Sequence, residues 1–171
     1  FVKPSDLILE KRFSDYFVSS DPKKLDLKFI HYWLANESYW SKNIPFNVLQ
    51  RLVENSLCFG VYHESGKQVG FGRVVTDYTT FAWLTDVFII EGYRGLGLST
   101  FLMEVILNHP ELQILRRWLL GTDLAHGLYR KFGFEDLDHP ENFLTLHRSN
   151  MYSSGEYDQL ITQFFEEHPS K

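Results

Sequence analysis

The 171-residue sequence has one cysteine, Cys58, which excludes an internal disulfide and paired-thiol chemistry. Its neighbours Leu57 and Phe59 put it in a strand, where a buried thiol is a commoner outcome than a nucleophile. No apolar run approaches the roughly 20 residues needed to span a bilayer, and no cleavable leader is read, so the expected setting is cytoplasmic with no membrane partner. Positive charge is also short. With 17 basic against 22 acidic residues and a net charge of −5, the footprint expected of a nucleic-acid binder is missing. The histidines show no paired ligand spacing, so no metal is expected. Repeats and low-complexity segments are absent.

What is present is apolar bulk. Hydrophobic residues make up 44% of the chain and aromatics 16%, which predicts one folded domain over residues 1–171. The chain is organised around residues 86–100. There the β-branched and aromatic run Val87, Phe88, Ile89, Ile90 stops at Glu91-Gly92 and reads as a buried strand. Leu98, Phe101, Leu102, Val105 and Ile106 then recur at three- and four-residue spacing, which predicts a helix. Between them, Gly95 and Gly97 carry no Cβ and let a ligand approach the backbone. The unpaired amides of the helix start, its dipole and the Arg94 charge together favour a phosphate or pyrophosphate.

Two common phosphate motifs do not fit. No Gly-Lys-Ser/Thr closes the loop, and Arg94 stands where the dinucleotide fingerprint has its first glycine. Arg94-Gly95-Leu96-Gly97-Leu98-Ser99 instead resembles Arg-x-x-Gly-x-(Gly/Ala), the acetyl-coenzyme A loop of the GNAT acetyltransferase superfamily, with Ser99 as a departure at the last position. Ala125 to Phe134, a helix bearing Tyr129 and ending in Gly133-Phe134, is similar to that family's second signature. The resemblance covers residues 55–137 and implies an α/β (α+β) fold. In it, a central mixed, mostly antiparallel sheet of about seven strands is flanked by helices, with acceptor-side helices over 25–55.

The rest of the chain gives expectations for that layout. Residues 8–18 read as a first strand, and residues 25–34 and 46–53 as helices separated by a loop holding Tyr39 and Trp40. Residues 57–63 and 68–75 form a hairpin around Glu64-Ser-Gly-Lys67, and residues 81–90 complete a three-strand meander. Trp118–Leu120 is a fifth strand, 134–137 begins a sixth and 143–148 is a seventh, followed by a helix over 157–167. Asp123 is the expected N-cap of a helix over 124–132, and Gly133 its left-handed C-cap.

The resemblance implies that the backbone of Val87, Phe88 and Ile89 binds pantetheine and that Arg94, Gly95, Leu96, Gly97, Leu98, Ser99 and Thr100 enclose the pyrophosphate. It also puts Tyr129 near the coenzyme sulfur, as a general acid whose phenol titrates near about 10, against the alternative of a packed core tyrosine. Thr122 stands where the family often has Asn. Asp86, at the head of the strand and beside the expected thioester, is the first candidate for general base, with a structural strand-end carboxylate as its alternative. Asp77 and Asp123 are weaker candidates. His126, three residues before Tyr129 on one helix face, is a possible relay. Tyr39 and Trp40 either line an acceptor pocket or belong to the core. The expected activity is N-acetyltransfer from acetyl-coenzyme A to the amine of a small molecule or protein. The alternatives are a non-catalytic acyl-coenzyme A sensor or scaffold and, less well supported, another phosphate binder. Exposed aromatics toward the C-terminus allow a homodimer.

Overall fold

The computed structural model describes residues 7–148 and 151–169. Its centre is a six-stranded sheet in sequence order. Strands β1 (Glu10–Phe13), β2 (Tyr16–Ser19), β3 (Leu57–His63), β4 (Gln68–Thr76) and β5 (Phe81–Ile89) run antiparallel in succession, and β6 (Arg117–Leu120) joins β5 in parallel. Helices α1 (Leu27–Asn36) and α2 (Phe46–Glu54) precede β3, and α3 (Leu98–Leu107) links β5 to β6. The short α4 (His126–Arg130) follows β6, and α5 (Gly155–Glu167) is the last element.

Alternation along the strands divides the core between two faces. On one, Phe59, Val61 and Val69 meet Leu98, Leu102 and Ile106 of α3; on the other, Cys58, Phe71 and Phe88 meet Ile30, Leu34 and Leu49 of α1 and α2. Each such buried aliphatic or aromatic side chain is worth about 1.5–3 kcal/mol. Helix α1 starts where the Asp26 carboxylate accepts the Phe29 N–H at 3.0 Å. Helix α5 lies beside α2, with the Arg51 guanidinium 4.7 Å above the Phe164 ring.

Three expectations need correction. The first strand is a hairpin, because Ser14 adopts a left-handed φ of 51° and Phe13 pairs with Tyr16 across a two-residue turn. Residues 134–137 and 143–148 form no strand, so among the described residues the sheet has six strands instead of about seven; Leu144 and Leu146 are 99% and 89% exposed. Their alternation is a local signal, whereas a strand also requires a neighbour in register. Helix α4 is shorter than expected and its N-cap is Ala125, not Asp123; the Thr122 hydroxyl accepts the Ala125 N–H at 3.0 Å. Gly133 does take a left-handed φ of 83°.

Candidate active site

The site is built where β6 stops short of the end of β5. Strands β5 and β6 pair only from Phe81↔Arg117 to Leu84↔Leu120. Beyond that point, among the described residues, the edge of β5 from Thr85 to Ile89 has no strand beside it. The backbone groups on a bare edge require partners, and a cleft of ≈ 720 Å³ adjoins them.

The end of β5 leads into the glycine turn. Gly95 and Gly97 have left-handed φ of 78° and 79°, and a Cβ on Gly95 would meet nothing within 4 Å. Gly97 is the N-cap of α3 and supplies no side-chain acceptor, which leaves the amides of Leu98, Ser99 and Thr100 without a side-chain cap. Arg94 reaches back, its Nε donating to the Ile89 carbonyl at 2.9 Å, while Leu96 stands exposed on the turn. Phe13 buttresses this turn. Its ring stacks on Phe101 at 5.2 Å and would lie 3.8 Å from a Cβ on Gly97. The sequence pattern did not single out Phe13, because its partners lie more than eighty positions away.

Asp86 lies within β5, not at its head. Between the pairs Phe71↔Phe88 and Arg73↔Thr85, one residue of β4 faces two of β5, a bulge in which Asp86 takes a left-handed φ of 54°. The bulge turns the Asp86 side chain into a buried network. Arg73 Nε donates to its Oδ2 at 2.7 Å, Trp40 Nε1 to its Oδ1 at 2.9 Å, and Arg73 also donates to the Ser56 hydroxyl at 3.1 Å. A lone arginine in the apolar run Gln68–Val75 was the signal for this pair, since a charge there requires a partner.

Trp40 and Tyr39 are 41% and 57% exposed and line the cleft, so neither is a core residue. Trp33 stacks on Phe88 at 3.8 Å between ring centres and continues this aromatic wall. The Tyr39 hydroxyl accepts the Asp123 N–H at 3.2 Å, so the loop between α1 and α2 crosses to the loop after β6. Tyr129 lines the same cleft with its ring buried, and burial, followed by the charge of Tyr39, pushes its phenol up to about 12.

The remaining expected residues lie apart from this group. His126 is exposed and lines a neighbouring groove with Arg130 and Asp136. Asp77 organises the turn before β5, accepting backbone N–H groups from Thr79, Thr80 and Phe81; its hydrogen bond from the Thr80 hydroxyl and then these amides hold it well below the carboxylate range. Cys58 is buried, and burial, against the opposing charge of Arg73, pushes its thiol up to about 12. Among the described residues, no three metal-ligating side chains converge and no helix is long and apolar enough to cross a membrane.

Residues 54–136 match the family model described as an acetyltransferase (GNAT) domain. A candidate acetyltransferase of Gibberella zeae is 32% identical over 145 residues, covering 71% of this chain and 80% of its own. The crystal structure of a candidate GNAT acetyltransferase from Xanthomonas campestris pv. campestris is 42% identical, with a TM-score of 0.79 over 81% of this chain and 97% of that one. A candidate acetyltransferase of Clostridium acetobutylicum, crystallised with acetyl-coenzyme A, shares the fold at 19% identity and a TM-score of 0.59, covering 77% of this chain and 94% of its own. The chain belongs to the GNAT acetyltransferase family.

Proposed function

We propose that the protein is an N-acetyltransferase that moves the acetyl group of acetyl-coenzyme A directly to a primary amine. The bare edge of β5, running into the uncapped amides of α3 within one cleft, is the observation that carries this reading. Acetyl-coenzyme A supplies an acyl group already joined to a thiolate leaving group. In the proposal, Val87, Phe88 and Ile89 bind its pantetheine through their backbone. Arg94, Gly95, Leu96, Gly97, Leu98, Ser99 and Thr100 hold its pyrophosphate against the positive end of the helix. Backbone donors of Val87 or Phe88 stabilise the oxygen that gains negative charge.

The acceptor amine approaches along Tyr39 and Trp40. Asp86 attracts its ammonium and takes the proton that must leave before attack, directly or through a water. The amine nitrogen then bonds to the acetyl carbon as the carbon–sulfur bond breaks, and Tyr129 donates a proton to the departing sulfur. A phenol raised to about 12 is fully protonated at neutral pH and therefore ready as a donor. His126 stands outside the cleft lining and carries no step. Holding both reactants in attack geometry accounts for about 7–11 kcal/mol of the barrier in well-oriented systems.

The test measures coenzyme A binding by calorimetry and thiol release with acetyl-coenzyme A across a panel of amines. Binding with amine-dependent thiol release supports the reading. Tight binding with no transfer to any amine supports the acyl-coenzyme A sensor, and no binding by folded protein removes both.

A further inference from the structure

A second space, a groove of ≈ 760 Å³, lies between α2 and α5. It touches the active site through one ion pair. Arg73 lines the groove, and Asp86, to which it donates at 2.7 Å, lines the cleft. The short turn Met151–Ser153 contributes Met151 to the groove wall, and Asn43 of the loop between α1 and α2 donates to its Ser153 hydroxyl at 3.2 Å. The wall is apolar in Val48, Leu52, Val75 and Ile161, but its charge is one-sided: Arg51, Arg73 and Arg148 stand against the single acidic residue Glu167.

Arg73 has donors to spare. A guanidinium carries five N–H groups. Among the described residues, Asp86 and Ser56 take one each, from Nε and one terminal nitrogen. The others belong to a side chain 15% exposed and lining the groove. At their junction the groove offers the cationic donors of Arg73 and the cleft the carboxylate of Asp86, so a molecule straddling the two meets the complement of a zwitterion. An arginine fork suits a carboxylate better than a point charge would, and the apolar wall beyond suits a hydrocarbon side chain.

We propose that the acceptor is an α-amino acid with an apolar side chain, bound with its carboxylate on the open N–H groups of Arg73 and its amine against Asp86. Its side chain lies in the α2/α5 groove. The proposal rests on the acetyl-transfer reading and narrows its acceptor. Polyamines are disfavoured because the groove is lined by three arginines.

The experiment compares L-phenylalanine with phenethylamine, which lacks only the carboxylate, as acceptors for the unaltered protein. The expected kcat/KM ratio is at least a hundredfold in favour of the amino acid. Val75→Trp, at a 40% exposed position in the groove wall, is expected to raise the KM for phenylalanine at least tenfold and leave coenzyme A affinity unchanged. Calorimetry with N-acetyl-L-phenylalanine against N-acetylphenethylamine reads the same preference without turnover. Equal use and equal binding of the acid and its decarboxylated partner overturn the zwitterion site while leaving acetyl transfer intact. A product preference without turnover supports the site and counts against the transfer reading instead. Unchanged phenylalanine kinetics in Val75→Trp overturn the groove assignment.

Discussion

The indole of Trp40 donates to the carboxylate of Asp86 at 2.9 Å, across 46 positions of sequence. This bond fastens the loop between α1 and α2 to the bulge of β5. Removing the donor while keeping an aromatic ring, as in Trp40→Phe, leaves Asp86 with one partner fewer. A hydrogen bond to a charged group is worth about 1.5–3 kcal/mol, so kcat/KM for the amine is expected to fall by tenfold or more. Coenzyme A affinity measured by calorimetry is expected to hold, which separates damage to the acceptor side from damage to the coenzyme side.

Tyr129→Phe tests the proton donor. Loss of a general acid costs 10²–10⁴-fold as a rule, and a fall in kcat of roughly that size is expected with little change in the KM for acetyl-coenzyme A. With its phenol pushed up to about 12, wild-type activity has no alkaline limb from Tyr129 below about pH 11. An ionisation of kcat near neutrality that disappears in Tyr129→Phe would contradict the assigned role.

Gly95→Ala isolates backbone strain. Nothing lies within 4 Å of the new Cβ, yet φ is 78°. A non-glycine residue there costs about 1–2 kcal/mol, so the turn is expected to relax and coenzyme A affinity to drop roughly tenfold, read by calorimetry. Gly70→Ala acts on the fold instead. Its Cβ would meet the Phe88 carbonyl oxygen at 2.8 Å, so β4 and β5 must separate. Overpacking of this kind costs about 1–3 kcal/mol, and a fall in Tm of about 2–12 °C is expected by calorimetric scanning.

His109 makes stability depend on pH. It is wholly buried, and burial, opposed by a backbone contact from Leu7, lowers its imidazole from 6.5. Below about pH 6.5 the unfolded chain therefore takes up a proton that the folded chain resists. Stability present above that pH is lost as pH falls, by at most about 1.4 kcal/mol per pH unit from this group. Urea unfolding at about pH 7.5 and 5.5 reads the loss, and His109→Gln is expected to reduce the difference.

The parts visible in the sequence were those whose causes are local. The glycine turn, the meander of β3 to β5 and the amphipathic faces of α2 and α3 follow from spacing within a few residues. The lone Arg73 of β4 signals that a partner is needed, but that the partner is Asp86, in a bulge also tied to Trp40, depends on how three separate segments align, which no short-range pattern encodes. Residues 143–148 show the opposite failure, since an alternating pattern was present and no neighbouring strand came to meet it.

Because the bare edge of β5 arises where β6 stops at Leu120 while β5 runs on to Ile89, the binding chamber is inseparable from the scaffold. A molecule lodged there bridges the meander and the α4 region like a removable rivet. Occupancy by coenzyme A is accordingly expected to delay melting of the whole molecule in a single transition, instead of quieting one loop.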